Sequence, residues 1–116
     1  MGIKVTKFGG SSLANAEQFK KVISILKADA DRRYAVPSAP GKRFSGDDKI
    51  TDLLYKCHDI ATAGKSIEQV FDKIRSRYMH IASELGLDYS PEEELERICR
   101  NIQKGEKRDY VASRGE

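Results

Sequence analysis

A lysine followed by a glycine-rich turn is the feature of this chain with the clearest chemical potential. Lys7 stands near the end of a short β-prone run, Gly9 and Gly10 follow, and Ser11 and Ser12 precede a helical pattern. Glycines permit a sharp turn and the close approach of an anion to backbone amides, and a helix start adds unpaired N–H groups. The spacing fits neither a Walker loop nor the dinucleotide-binding pattern. The stretch therefore indicates either a phosphate site of another type or an ordinary tight turn.

A second polar turn is expected at the same edge of a sheet. The residues at 34–36 form a β-prone run that Pro37 ends, because proline keeps the preceding residue extended and lacks a ladder donor. Strand, helix and strand in this order predict a parallel crossover, and parallel sheets bind ligands at the carboxyl ends of their strands. Those ends are residues 7–11 and 37–39. The two turns should therefore meet.

Four amphipathic helices are predicted, beginning near Asn15, Lys49, Ser66 and Ser90. Capping-box spacing favours three of these starts, through Gln18, Gln69 and Glu93, and glycine stops are expected at Gly64, Gly86 and Gly105. Asp109 is the expected cap of a further helix. The sequence stops after about two turns of this helix and without a helix stop signal, so we expect a piece of a larger protein. The expected buried residues are Phe19, Val22, Ile23 and Leu26 in the first helix, Ile50, Leu53, Leu54, Cys57 and Ala61 in the second, Ile67, Val70, Phe71, Ile74, Tyr78, Ile81 and Leu85 in the third, and Leu95, Ile98, Cys99 and Ile102 in the fourth.

The loop at 38–48 and the residue Thr51 are further candidates for function. The loop combines glycines, a proline and several charges, so it is expected to be exposed and to act as a lid or a mobile segment. Thr51 falls in the first turn of the second helix. Its hydroxyl group either faces the ligand edge or is simply exposed to solvent.

Composition narrows the class of protein. The 116 residues suffice for one domain with a modest core, and the net charge of +3 is spread over the helices, which does not favour a nucleic-acid partner. No apolar run approaches the roughly 20 residues of a membrane span, and no signal-peptide core is present, so the cytoplasm is expected. Cys57 and Cys99 should be buried free thiols. His58 and His80 have no ligand partners at metal spacing, so no protein metal site is expected.

Four motifs together resemble the aspartate kinase (aspartokinase) family, within the amino acid kinases. They occur in the family's order at residues 7–12 (KFGGSS), 36–41 (VPSAPG), 51–54 (TDLL) and 113–116 (SRGE). The resemblance implies an α/β fold: a fragment of the three-layer αβα amino-acid-kinase (carbamate-kinase-like) fold, with parallel strands and a helix-rich insertion. Residues 1–116 would be the N-terminal portion of the catalytic domain. The remaining catalytic part, and usually a pair of ACT domains, would follow.

The same resemblance implies a reaction and its residues. The family transfers the γ-phosphoryl group of ATP to the side-chain carboxylate of L-aspartate, in the biosynthesis of lysine, threonine and methionine. Lys7 would neutralise charge on the transferred group, and Gly9, Gly10, Ser11 and Ser12 would bind the ATP phosphates. The implied aspartate-binding residues are Ser38, Thr51 and Glu116. Mg²⁺ would be held mainly through the ATP phosphates, and the full-length enzyme would be a homo-oligomer.

Two alternatives stay open. Another amino acid kinase, such as a glutamate 5-kinase or a uridylate kinase relative, would share the lysine and the glycine-rich turn but usually lacks the motifs at 37–41 and 113–116. A non-catalytic helical module would use its apolar faces to bind a protein partner. In the aspartokinase interpretation, an arginine for the aspartate α-carboxylate and the adenine pocket lie beyond Glu116. The 116-residue chain alone is therefore expected to have no useful kinase activity.

Overall fold

The computed structural model describes residues 2–116, and Met1, the first residue of the segment assigned as 1–116, lies outside the described residues. The described part is mixed α/β, as expected. Its elements in chain order are β1 (Lys4–Phe8), a 3₁₀ turn (Gly10–Leu13), α1 (Ala16–Lys27), β2 (Arg32–Pro37), α2 (Ile50–Thr62), α3 (Glu68–Glu84), α4 (Glu92–Lys104), α5 (Arg108–Ala112) and a second 3₁₀ turn (Ser113–Gly115).

The two strands pair in parallel, which confirms the predicted topology of this part of the chain. In register, Thr6 lies opposite Ala35 and Phe8 opposite Pro37. β2 extends beyond the predicted residues 34–36 at both ends. Because both strands run in the same direction, the turns that follow them leave the sheet at the same edge.

Two apolar clusters hold the described residues together. The larger lies among α2, α3, α4 and α5, with α2 in contact with the other three helices. The smaller joins β1 to α1 through Phe8, Leu13 and Val22, with Phe19 and Leu26 packed against it. The prediction for Ile23 was wrong, because this residue is 42% exposed. The larger cluster contains Ile50, Leu53, Leu54, Cys57, Ile67, Phe71, Ile74, Leu95, Cys99, Ile102 and Val111, together with Ala39.

The helix starts agree only partly with the sequence pattern. The Asn15 side chain accepts a hydrogen bond of 3.0 Å from the amide of Gln18, which confirms the predicted cap of α1. At the start of α3 the predicted box between Ser66 and Gln69 is replaced by a distant residue. Gln103 of α4 accepts from the amide of Ile67 and donates to the carbonyl of Lys65, both at 2.9 Å.

The end of the chain also differs in detail from the prediction. Helix α5 begins at Arg108, so Asp109 lies in its first turn and does not cap it. Gly105, at φ 110°, terminates α4 in the left-handed conformation, as a glycine stop should. Cys57 and Cys99 are confirmed as buried free thiols. Among residues 2–116, none of the helices combines the length and the apolar character that a membrane span requires.

Candidate active site

The turns that follow the two strands are joined by backbone hydrogen bonds. The carbonyl of Phe8 accepts from the amide of Ser38 at 3.1 Å, and the carbonyl of Gly10 accepts from the amide of Gly41 at 2.8 Å. The pairing of β1 with β2 thus continues beyond the strands into the loops. This arrangement confirms that the two polar turns meet at one edge of the sheet.

The start of α2 joins the same edge. The carbonyl of Pro40 accepts a hydrogen bond of 3.1 Å from the amide of Ile50, so the first turn of α2 lies beside the loop and carries Thr51 with it. The expectation of a fully exposed loop was wrong for its beginning, because Ala39, Pro40 and Gly41 are buried. These residues are small or apolar, and the charged side chains that keep the rest of the loop in solvent begin only after them.

The last residues of the chain pack against these loops. Gly115 is buried, and a Cβ atom added to it would lie 2.8 Å from the Cβ of Ala39 and 3.0 Å from the Cγ2 of Ile50. The hydroxyl group of Tyr78, on α3, donates to the carbonyl oxygen of Gly115. The second 3₁₀ turn is therefore held from two sides, and this contact brings Glu116 next to the loops.

A polar cleft of about 490 Å³ opens where these segments meet. It gathers Gly10, Ser11, Ser38, Thr51 and Glu116, which the sequence had assigned to phosphate or aspartate binding. It does not gather Lys7, Gly9 or Ser12. The other residues that line it are Ala39, Pro40, Gly41, Lys42 and Lys49.

Lys7 lies close to the cleft in the chain but outside its lining. Side chains alternate along β1, so Phe8 is buried against α1 while Lys7 is exposed on the other face of the strand. Within residues 2–116, the Lys7 ammonium group forms no ion pair. Its charge is therefore not neutralised by another of these side chains. Ser12 donates its amide to the carbonyl of Gly9 and closes the 3₁₀ turn.

Lys42 and Lys49 line the cleft although the sequence pattern did not single them out as site residues. Lys42 stands in a run of charge that resembles any solvated loop, and Lys49 is the residue that precedes α2. Only the tertiary arrangement brings both into the same lining as Ser11, Ser38 and Thr51. One signal in the sequence could have identified Lys49. It is a basic residue immediately before a helix, and that helix follows a glycine-rich loop.

The cleft has the chemical groups that a small amino acid or a phosphate needs. Lys42 and Lys49 supply ammonium groups, Glu116 supplies a carboxylate, and Ser11, Ser38 and Thr51 supply hydroxyls. The first turn of α2 adds amides without intrahelical acceptors and the positive end of the helix dipole. Such a set binds carboxylate or phosphate oxygens at several points. The single carboxylate suits an ammonium group rather than a phosphate.

In the loop at 38–48, the part that follows the cleft-lining residues is fixed by ion pairs. Arg43 donates to both carboxylate oxygens of Asp47, at 2.7 and 2.9 Å, and these bonds hold the pKa of Asp47 well below its usual range. Arg77, a buried residue of α3, donates to the carbonyl of Gly41 at 2.7 Å and to that of Asp48 at 3.1 Å. Burial among these partners lowers the pKa of Arg77.

Comparisons with known proteins point to one family. Aspartokinase 3 of Bacillus subtilis is 40% identical over 105 residues, which cover 90% of this chain and 23% of the relative. The crystal structure of Clostridium acetobutylicum aspartate kinase matches 99% of this chain and 27% of its own, with a TM-score of 0.96 and 51% identity. The structure of Escherichia coli aspartokinase III in complex with aspartate and ADP matches 98% of this chain and 26% of its own, with a TM-score of 0.75 and 28% identity.

These matches confirm the resemblance that the four motifs indicated. The chain is similar to aspartokinases in sequence and in fold along nearly all of its residues. No protein-family model matches it. The chain spans about a quarter of the length of the relatives that it matches.

Proposed function

We propose that this aspartokinase-like chain is the N-terminal part of a catalytic domain, and that the intact protein which carries it phosphorylates L-aspartate with ATP. One observation carries the proposal: Ser38, Thr51 and Glu116 converge on Gly10 and Ser11 in a single cleft. The complex of the Escherichia coli relative with aspartate and ADP supports both ligands. As in the family it resembles, the intact protein would act in the cytoplasm as a homo-oligomer.

The amino-acid substrate fits the Glu116 side of the cleft. Glu116 would accept hydrogen bonds from the α-ammonium group of aspartate, because a carboxylate pairs strongly with an amine. Ser38 and Thr51 would donate their hydroxyls to carboxylate oxygens of the same molecule. With the ammonium group fixed at one end, the side-chain carboxylate would be directed toward the glycine turn, where the phosphate donor is expected.

The phosphate donor fits the turn after β1. Lys7 would screen the charge of the transferred group, while Gly9, Gly10, Ser11 and Ser12 would offer amides and hydroxyls to the phosphate oxygens. The close contact between the backbones of Gly10 and Gly41 fixes this turn against the loop after β2. Mg²⁺ would be carried mainly by the phosphate oxygens, its preferred ligands, and would supply further charge neutralisation.

The reaction needs positioning more than covalent assistance from the protein. A side-chain oxygen of aspartate attacks the γ-phosphorus, the bond from that phosphorus to the bridging oxygen breaks, and ADP leaves with the bonding electrons. Holding the two reactants in line, with the developing charge neutralised, supplies most of the acceleration in phosphoryl transfer. The product is the acyl phosphate 4-phospho-L-aspartate.

The test is a kinase assay on the intact protein that follows the release of ADP, with hydroxylamine present to trap any acyl phosphate formed from aspartate or glutamate. L-aspartate, L-glutamate and uridylate are compared as acceptors, and we expect turnover with L-aspartate. Lys7→Ala should lower kcat/KM by about 100-fold or more, since loss of one preorganised charge-stabilising donor costs about this much. Lys20→Ala, at an exposed position on α1, is the matched control and should behave as the unmodified protein.

Three outcomes would contradict the proposal. The first is a preference for glutamate or uridylate, which would favour another amino acid kinase. The second is an equal effect of Lys7→Ala and Lys20→Ala on turnover. The third is an intact protein that binds a protein partner and ignores ATP, as a helical interaction module would. The isolated 116-residue chain should show no transfer above its own Lys7→Ala variant.

A further inference from the structure

We infer that Arg77 and Tyr78, consecutive residues of α3, are positioning residues that set the spacing between the walls of the proposed aspartate cleft. The inference rests on the proposed function for its substrate. Neither residue lines the cleft. Instead, each of them forms hydrogen bonds with backbone carbonyls of segments that form the cleft. Together they contact the turn after β1, the loop after β2, the residues just before α2 and the end of the chain.

Arg77 joins the turn after β1 to the loop after β2. Its Nη2 atom donates to the carbonyl of Ala14 at 3.0 Å and to the carbonyl of Gly41 at 2.7 Å. Its Nη1 atom donates to the carbonyl of Asp48 at 3.1 Å and lies 3.4 Å from a carboxylate oxygen of Asp47. The side chain is 4% exposed, so these bonds are made away from solvent. A planar guanidinium group provides these donors in a fixed geometry that a lysine cannot reproduce.

Tyr78 holds the opposite wall. Its hydroxyl donates to the carbonyl of Gly115, the residue before Glu116. Its ring packs at the edge of the larger apolar cluster, and this burial raises the pKa of the hydroxyl further above neutral pH, where the group is a donor. Gly115 packs closely against Ala39 and Ile50, since a Cβ atom added to it would clash with both residues. The hydroxyl bond thus sets the direction in which Glu116 enters the cleft.

The consequence is that a helix outside the cleft controls its width. Arg77 holds Gly41 and Asp48, Tyr78 holds Gly115, and both are attached to one rigid helix of 17 residues. If either bond is lost, one wall moves relative to the other. Aspartate contacts both walls in the proposed binding mode, whereas the phosphate turn keeps two further bonds when these are lost, from the amide of Gly41 to the carbonyl of Gly10 and from the amide of Ser12 to the carbonyl of Gly9. Loss of these bonds should therefore affect aspartate more than ATP.

The test compares Arg77→Lys and Tyr78→Phe in the intact protein with Arg75→Lys and Tyr55→Phe. Arg75 is also on α3 and also forms ion pairs, but with Asp72 and Glu96, and Tyr55 lies on α2 beside Arg108. We expect Arg77→Lys and Tyr78→Phe to raise KM for aspartate about tenfold and to leave KM for ATP within about twofold, the former change corresponding to about 1.4 kcal/mol. The two control variants should change neither constant.

Amide hydrogen exchange provides a second readout that needs no substrate. Exchange should rise at 39–48 in Arg77→Lys and at 113–116 in Tyr78→Phe, while the control variants leave both segments unchanged. Unchanged exchange in both test variants would overturn the inference. Faster exchange with an unchanged KM for aspartate in an active enzyme would overturn it as well, since the bonds would then be merely structural.

The two proposals fail in different ways. If the unmodified protein does not phosphorylate aspartate, the proposed function is wrong, and the assignment of these residues to an aspartate cleft is wrong with it. If the unmodified protein phosphorylates aspartate and the test variants match their controls, only the positioning role of Arg77 and Tyr78 is wrong.

Discussion

The backbones of Gly10 and Gly41 are in direct contact although the two residues belong to different turns. The amide of Gly41 donates to the carbonyl of Gly10 at 2.8 Å, and a Cβ atom added to Gly41 would lie 2.7 Å from the carbonyl carbon of Gly10. Nonbonded carbon atoms prefer separations of about 3.5–4.0 Å. The absence of a side chain at Gly41 is therefore a requirement of packing between two backbones.

The substitution Gly41→Ala should separate the two turns. We expect a loss of about 1–3 kcal/mol in the free energy of unfolding, the usual cost of overpacking, together with a higher KM for aspartate. Chemical denaturation and steady-state kinetics measure the two effects. Gly46→Ala is the matched control, because it lies in the same loop and its added Cβ would approach only the Phe44 ring, at 3.9 Å. Equal behaviour of the two variants would refute the close contact.

Gly115→Ala should be destabilising for a similar reason on the opposite wall. The new Cβ atom would lie 2.8 Å from the Cβ of Ala39 and 3.0 Å from the Cγ2 of Ile50. Adding Ala39→Gly to the same protein removes the nearer of these atoms, so the double variant should recover part of the loss. Denaturant unfolding gives the free energy of unfolding of the unmodified protein, the two single variants and the double variant. These four values form a thermodynamic cycle. Strictly additive effects would show that the two positions do not touch.

The ion pair of Asp47 with Arg43 should appear in the acid stability of the protein. The bonds from Arg43 lower the pKa of Asp47 below its ordinary value of 3.8, so the folded state favours the ionised carboxylate. This contribution to stability is complete above pH 3.8 and is lost as the pH falls from there toward the lowered pKa.

Asp47→Asn should therefore melt at a lower temperature than the unmodified protein at pH 7, and the difference should shrink below pH 4. Thermal melts between pH 7 and pH 2.5 measure both quantities. Asp88→Asn serves as a control at an exposed position. A difference in Tm between Asp47→Asn and the unmodified protein that stays constant over this range would argue against a perturbed carboxyl group.

The two thiols should react slowly in the folded protein. Burial raises the pKa of Cys57 and that of Cys99 to about 11 each. At pH 8 about one thiol in a thousand would then be ionised, and the thiolate is the reactive form. An aromatic disulfide reagent should modify both only after denaturation, while an added thiol at an exposed position of α3, through Ser83→Cys, should react at once. Rapid native modification of Cys57 or Cys99 would exclude their burial.

Local sequence patterns were sufficient to predict much of the fold. Helical spacing identified the inward residues of α2 and α4, and Asn15 was correctly identified as the cap of α1. These features depend on residues within one or two turns of each other. The prediction that Ile23 is buried failed because helical spacing alone does not ensure burial. An apolar residue at the correct spacing still faces solvent when the sheet beside its helix has only two described strands.

The residues that hold the cleft together could not be found in this way. Arg77 interrupts an otherwise apolar helix face, and in sequence it resembles any solvated arginine. Its partners are backbone carbonyls of distant loops, which carry no sequence signature. Gln103 is a similar case, since it accepts a hydrogen bond at the start of α3 from the amide of Ile67, 36 residues earlier in the chain. The family motifs identified Ser38, Thr51 and Glu116 without indicating what sets the distances between them.

The order of the segments around the cleft has a consequence for synthesis on the ribosome. The wall formed by Gly10 and Ser11 emerges first and Glu116 emerges last, after the whole of α2, α3, α4 and α5. The nascent chain can pair its two strands early, but the proposed substrate-binding surface stays incomplete until Gly115 has packed against Ala39. A translational pause before this point would leave exposed the parts of Ile50 and Leu54 that Gly115 contacts, and transiently exposed apolar surface favours aggregation.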